Sequence, residues 1–394
     1  MDIDSPGARA AVAADGDWET AVQRALNETR GVRPDAVVLF AASEYAAHFP
    51  EMVRRVWRET GAPVLVGCSG IGVIGPGREL ERVPALAVLQ LALPGGALRG
   101  VRFTQRMVET CRDAEAWHRG LGVGSGEVDG WLVFADPFNL DAEALIAGLG
   151  EAYPGAPILG GLASPGPLDR RTWVFLNGEA YADGGVGLGI GGDYGLVPLV
   201  SQGCEPIGEA WTITGVQDHW IETISNRPAV DVLVETLSAL PEELQPPAQQ
   251  NLVVGIAADE YRHEFVRGDF LVRNLIGLDR GSGAIAIGAL PRLGQTIQFQ
   301  VRDAATADLD LTLMLDDLRP RLAGRRPLAA VLNSCNGRGV GLFGSSHHDA
   351  TAIDRKLGPL PLAGLFCAGE IGPVGTTSYL HGFTASLGLI VRND

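Results

Sequence analysis

The chain of 394 residues is long enough for about two domains, each with its own core. A net charge of −16, with no basic run longer than a pair such as Arg325-Arg326, argues against nucleic acid or an anionic membrane as main partner. Phosphate recognition needs clustered Lys and Arg.

The N-terminus, MDIDSPGARAAVAADGDWE, is acidic and lacks the basic n-region and apolar core of a signal peptide. No apolar stretch approaches the ~18 residues of a membrane-spanning helix. Five scattered cysteines form no CxxC pair, so reduced thiols and a cytoplasmic location are expected.

Two gap-free segments then repeat one pattern. Ala36 to Gly67 reads AVVLFAASEYAAHFPEMVRRVWRETGAPVLVG; Gly130 to Gly161 reads GWLVFADPFNLDAEALIAGLGEAYPGAPILGG. Each is an apolar strand, a polar loop, a helix, a GAP turn and a second strand. Phe49, Met52, Val53, Val56 and Trp57 share one helical face in the first copy. Leu145, Ile146 and Leu149 do so in the second, with Asp141 as N-cap. The repetition predicts a mixed α+β fold, with two pseudo-repeated halves and mixed β-sheets covered by helices.

After the first copy comes GCSGIGVIGPG, whose Gly70, Gly72 and Gly75 match the GxGxxG dinucleotide fingerprint. That fingerprint needs a helix starting inside the glycines and an acidic ribose ligand about 20 residues on. Here RELERVP and the strand-like ALAVLQLAL follow instead, so a turn between strands is expected and no nicotinamide cofactor. GLGIGG, residues 187 to 192, has the same flaw. QGCEPIG places Cys204 in a turn as a buried thiol.

Arg227 to Leu240 has apolar residues at helical spacing, and PEELQPPAQQ, residues 241 to 250, reads as an exposed loop. Arg273 interrupts the apolar run FLVRNLIG and is expected as a buried charge partner. IQFQVRD alternates as a half-buried strand, with Arg302 on its polar face. The last third echoes the repeat more loosely: LAAVLNSCNGRG, then HHDATAIDRKLG closed by Gly358, then LPLAGLFCAGEIGPVG and FTASLGLIV.

Three glycine turns, GCSGIG, GGLASPG and LFCAGEIG, occupy corresponding places, and their backbone N–H groups suit an anion or carboxylate. The densest polar chemistry lies between residues 333 and 384. Cys335, Asn336 and Arg338 sit on a strand-end loop, where the Arg338 guanidinium is suited to fork onto a carboxylate. His347, His348 and Asp349 open a helix. Cys367 and Glu370 flank Gly369, and His381 and Thr384 enter the final strand. The spacing of these groups matches no standard zinc pattern. A Cys–His–Glu arrangement of Cys335, His381 and Glu370 would serve a thiol hydrolase or transferase. A pocket for a small polar ligand uses the same residues without catalysis and is the favoured reading.

The order GCSGIGVIGPG, GAPILGGLAS, QGCEPIG, CNGRG, CAGEIGPVG and LHGFT resembles the FIST family of sensory proteins. The resemblance implies a FIST N-terminal domain over 1–218 and a FIST C-terminal domain over 219–394. It also implies a small-ligand-binding sensory protein of bacterial signal transduction, with amino acids as the candidate ligands; no cofactor is expected. Cys68, Ser69 and Gly70 match the N-terminal glycine turn. Cys335, Asn336, Arg338, Cys367, Gly369, Glu370, His381 and Thr384 match the C-terminal motifs. In the ligand reading Arg338 holds a carboxylate and Glu370 an amine. Some similar proteins are haem-based gas sensors, but their first turn differs from GCSGIGVI and no haem motif is evident here. With no signalling module recognisable in the chain, its output is expected to pass through a separate partner protein.

Overall fold

The computed structural model describes residues 5–166, 170–262 and 264–393. The chain forms two compact units: Met1–Val200 with Thr312–Asp394, and Ser201–Leu311.

The first unit holds three six-stranded sheets built to one plan. The first runs Gly7–Ala14, Ala85–Ala92, Ala36–Ala42, Val64–Gly70, then the hairpin Val174–Leu176/Glu179–Tyr181. The second runs Gly96–Phe103, Gly185–Gly192, Gly130–Ala135, Ile158–Leu162, then the hairpin Glu370–Val374/Thr377–His381. The third runs Tyr194–Ser201, Ala385–Arg392, Ala329–Cys335, Leu362–Cys367, then the hairpin Gly72–Gly75/Arg78–Glu81. In each sheet the third and fourth strands are parallel, joined by a crossover containing a helix: Phe49–Thr60, Ala142–Ala152 or His348–Leu357. The mixed α+β architecture and both repeated halves are therefore present. The looser C-terminal echo completes a third copy.

The hairpins are exchanged in a ring. The first copy's hairpin completes the third sheet, the second copy's completes the first, and the third copy's completes the second. Turn chemistry shapes them: Asn177 (φ 47°) and Gly178 (φ 88°) make a two-residue loop between Leu176 and Glu179. Positive φ at both central residues is the type I′ signature, whose twist suits paired strands. The exchange closes a shared core in which Phe40, Cys68, Phe134, Leu159, Val331, Leu365 and Cys367 belong to one buried cluster. Phe40 and Phe134, equivalent in the first two copies, meet edge to face at 5.1 Å.

Central strands such as AVVLFAA (Ala36–Ala42) are apolar throughout because both faces are covered. Each large side chain so enclosed contributes about 1.5–3 kcal/mol. Helices cover the outer faces as their periodicity predicts. Phe49, Met52, Val53 and Val56 are buried, while Trp57 stays 36% exposed. Asp141 is the N-cap, accepting from Ala144 N at 3.0 Å.

The gap-free sequence offset slips by one residue in space. It aligns Gly67 with Gly161, yet Gly67 faces Leu39 across its parallel pair as Gly160 faces Val133. At both glycines a Cβ would lie on the partner's carbonyl oxygen, 1.7 Å and 1.8 Å away. Close backbone approach, which strand pairing imposes, decides the equivalence.

The fingerprint-like glycines form no nucleotide loop. The strand Val64–Gly70 turns directly into the strand Gly72–Gly75, and residues 187 to 192 lie inside Gly185–Gly192.

The second unit is a closed antiparallel barrel. Thr296–Val301, Trp211–Gln217, Trp220–Ile224, Ala284–Ile287, Phe270–Asp279 and Leu252–Ala257 pair in turn, and the last returns to the first. Closure leaves the ring without a free edge. Ile213, Ile221, Val254, Ile285, Ile297 and Phe299 form its core together with Val232 and Leu233 of the helix Ala229–Ser238. Cys204 is buried, as expected. Part of the segment read as a loop is helical, Gln245–Gln250, because Pro246 sits where a first helical turn needs no N–H. Arg273 is only half-buried.

Candidate functional site

The cluster forms where strand ends of all three copies converge. The strand Ala329–Cys335 ends on Cys335, whose register partner in the parallel strand Leu362–Cys367 is Cys367. After the Ala368-Gly369 turn, Glu370 opens the next strand, opposite Gly161 on one side and His381 on the other. Gly161 is required because a Cβ there would lie 2.9 Å from Cys367 Sγ. Gly369 likewise leaves room for Leu162 and Leu380.

Glu370 is fully buried. The Cys367 thiol donates to its Oε1 at 3.4 Å, and Thr384 N donates to its Oε2 at 2.9 Å. The Cys335 thiol also hydrogen-bonds to this carboxyl. Burial outweighs those bonds and raises the Glu370 pKa to about 8. The Cys367 thiol is pushed well up, first by burial and then by the adjacent carboxyl. Cys68, enclosed in the same core, is raised by burial too.

Cys335 differs from its partner in keeping partial exposure. Two backbone N–H groups point at its sulfur, Phe383 N at 3.3 Å and Gly337 N at 3.4 Å. Phe383 adopts φ 67°, a left-handed conformation costly for a bulky residue. Backbone outliers of that kind gather at functional sites.

A second chain of polar groups starts at Asn336. Its Nδ2 donates to Ser164 Oγ at 2.9 Å, and Ser164 Oγ donates to Phe366 O at 3.2 Å. Ser69 Oγ donates to Ser164 O at 3.2 Å and accepts from Trp173 N at 3.1 Å. Gly70 packs on the Phe366 backbone, since a Cβ would meet Phe366 O at 3.0 Å. Ser164 is a member that sequence reasoning missed. Its signal was the turn GGLASPG, where the glycines drew attention away from the hydroxyl.

Three expectations are corrected. Arg338 is buried and its fork is filled from inside: Nε donates to Asp349 Oδ2 at 2.7 Å and Nη2 to Asp349 Oδ1 at 2.9 Å. That bidentate pair takes the place of a ligand carboxylate and holds the Asp349 carboxyl well below its usual range, against the opposing effect of burial. Glu370 is likewise enclosed, with both oxygens accepting hydrogen bonds from within the protein instead of standing open to an amine. Several amides in and beside the glycine turns are taken up inside the protein. Leu162 N donates to Gly369 O and Ala368 N to Leu162 O, while Ser69 N donates to Trp173 O. These bonds stitch the copies together, so those three N–H groups do not face an anion.

His381 joins the cluster by register but bonds Gly372 O through Nε2 at 2.9 Å. Thr384 contributes its backbone N–H to Glu370, and its hydroxyl bonds Gly382 O. His347 accepts from Glu79 N at 3.0 Å, and His348 stacks on Phe343 at 3.5 Å. Glu79, from the exchanged hairpin, caps the helix His348–Leu357 by accepting from Ala350 N at 2.8 Å. Burial raises its pKa to about 7.

The protein is thus a three-copy α+β scaffold with a barrel unit, carrying a thiol–carboxyl cluster where the strand ends of the copies meet. The FIST N domain model matches residues 35–227 and the FIST C domain model residues 229–373, so the chain belongs to the FIST family. FIST domains are associated with sensory signal transduction.

The chain is 35% identical over 371 residues to an uncharacterised protein of Mycobacterium tuberculosis, covering 94% of this chain and 95% of that one. A protein of Mycobacterium bovis, also uncharacterised, is 36% identical with 94% of each chain covered. Among solved structures, a cyanuric acid hydrolase aligns over 98% of this chain and 100% of its own, at 10% identity and a TM-score of 0.33. Among the described residues no helix is long and apolar enough to cross a membrane.

Proposed function

We propose that this chain is a sensory protein that binds a small polar ligand over Cys335 and Asn336, with Ser164 fixing the Asn336 amide from behind. The observation that supports this most is the convergence there of polar groups from three copies: Ser69, Ser164 and Asn336 in one hydrogen-bonded chain. Cys335 and Asn336 keep partial exposure at its end, whereas Ser69 and Ser164 are buried behind them. A buried hydroxyl–amide network fixes the position of the exposed amide, the preorganisation that ligand recognition needs. Arg338 and Glu370 act behind this surface, keeping the loop and thiols in place. Amino acids and other small molecules with amide, hydroxyl or thiol groups are the ligand class. Binding is passed to a separate signalling partner.

A thermal-shift panel of amino acids, small carboxylates, amides and haem tests the reading. A ligand at a hundredfold excess over its dissociation constant stabilises the protein by about 2.7 kcal/mol. The shift should vanish in Asn336→Ala and Ser164→Ala. No shift across the panel, or one retained in both variants, would overturn the assignment.

A second reading is thiol catalysis at Cys335. It is supported by the two backbone N–H groups aimed at Sγ and the carboxyl beside it. In this reading Glu370 is the proton acceptor in place of His381, whose Nε2 serves Gly372. Alkylation of Cys335 at neutral pH faster than free cysteine supports it; a rate equal to free cysteine removes it.

A further inference from the structure

We propose that Cys335 and Cys367 form a hydroperoxide-responsive dithiol, in which Cys335 is oxidised and Cys367 resolves it as a disulfide across the parallel strand pair. The inference goes beyond the ligand reading and needs no ligand.

The two cysteines are register partners at the ends of adjacent parallel strands. Neighbouring strands lie about 4.8 Å apart. That spacing falls inside the Cα window of roughly 4.4–6.8 Å that a disulfide requires. Both thiols hydrogen-bond the same Glu370 carboxyl, so their side chains lie on one face of the sheet and converge. Their exposures divide the roles. Cys335 is partly exposed and open to a small oxidant, whereas Cys367 is fully buried, so it waits behind. The Phe383 and Gly337 N–H groups stabilise negative charge on the Cys335 sulfur. The Cys367 thiol, raised by burial, stays protonated until its proton is taken.

The chemistry balances in two steps. The ionised fraction of Glu370, which grows as pH rises through about 8, takes the Cys335 proton and the sulfur attacks the outer peroxide oxygen. An S–O bond forms, the O–O bond breaks, and the departing alkoxide takes that proton and leaves as the alcohol. Cys335 is now a sulfenic acid. Cys367 sulfur then attacks Cys335 sulfur. An S–S bond forms, the S–O bond breaks, and Glu370 relays the Cys367 proton to the leaving hydroxide, which departs as water. Two thiols are oxidised, one hydroperoxide is reduced, and an external thiol reverses the change by exchange.

Full-length protein treated with hydrogen peroxide, alkylated and digested tests this. The expected product has lost about 2 Da and joins the Cys335 peptide to the Cys367 peptide. Cys367→Ser and Cys367→Ala should lose that link and accumulate a sulfenic acid at Cys335, trapped by a cyclic 1,3-dione. Cys335→Ser should show neither product. Glu370→Gln should slow disulfide formation at least about tenfold. A melting curve of each variant confirms that it is folded. A wild-type protein without the 335–367 link, a link from either residue to Cys68, or Cys367 oxidised at the wild-type rate in Cys335→Ser would overturn the proposal. The disulfide forming while the ligand panel stays silent removes the ligand reading alone. Ligand binding without the disulfide removes this one alone.

Discussion

Arg338 and Asp349 form an enclosed two-pronged ion pair, with side chains 0% and 2% exposed and contacts of 2.7 Å and 2.9 Å. Ser334 Oγ donates to the same carboxylate at 3.2 Å. The pair ties the CNGRG loop to the helix His348–Leu357, and so fixes the loop that carries Cys335 and Asn336. Breaking one side of a buried pair leaves an uncompensated charge and costs about 3–5 kcal/mol. Asp349→Ala should therefore lower the urea midpoint strongly, while Arg338→Met combined with Asp349→Leu recovers most of the loss. A cost below about 1 kcal/mol for the single change would mean the pair is not what holds the loop.

Stability should fall as pH rises from 5 to 8. Glu79 and Glu370 have folded pKa values of about 7 and about 8, above the ordinary carboxyl value of about 4.3. The folded state therefore holds protons that the unfolded chain releases. Their contribution is full below the ordinary value and is lost as pH climbs through the folded values. Glu79→Gln should reduce the slope up to about pH 7, and Glu370→Gln the slope up to about pH 8, read as melting temperature against pH. Asp349 has the opposite sign: its contribution is present above its ordinary range and lost in acid. A wild-type profile flat between pH 5 and 8 would contradict the enclosure of both glutamates.

Gly67→Ala should be among the most damaging single-methyl changes in the chain. Its Cβ would lie 1.7 Å from Leu39 O, and a paired backbone carbonyl cannot move without breaking the parallel ladder. The loss should exceed the ~1–3 kcal/mol of ordinary overpacking. Gly61 is the control. Its φ is 63° with open space around a Cβ, so Gly61→Ala should cost only the left-handed penalty of about 1–2 kcal/mol. Equal melting temperatures for the two variants would refute the close-approach argument.

The exchanged hairpins make the three sheets interdependent. A fragment ending at Asp193 keeps the hairpin Gly72–Gly75/Arg78–Glu81 but lacks the strand Leu362–Cys367 that it pairs with. It also lacks the hairpin that completes the second sheet. Open edges of this kind aggregate. The fragment should be insoluble or molten by near-ultraviolet circular dichroism, and a monomeric fragment with sharp cooperative melting would show that one copy pair folds alone.

Local features were legible because they are set by neighbours in the chain. The helical face of Phe49, Met52, Val53 and Val56, the Asp141 cap and the Gly358 terminus follow from periodicity and backbone preference. The polar residues at 335, 336, 367, 370 and 384 were picked out as a cluster, and the fold gathers them. Their roles were not legible. In the sequence Asp349 stands at the start of a helix, but its carboxylate pairs with Arg338, and the helix N-terminus takes its carboxylate from Glu79, far away in sequence. Ser164 gave no periodic signal and became a junction only when three strand ends met.

By itself the sequence determined the strand–helix–strand unit, its repetition, the glycine turns and the family, because these depend on local propensity and on residue order. The tertiary structure alone decided which hairpin completes which sheet, that Arg338 pairs with Asp349, and that Cys335 and Cys367 share one carboxyl. Those outcomes depend on which groups burial brings together and leaves to neutralise one another. A buried charge or thiol takes the nearest partner in space, and distance along the chain does not determine that partner.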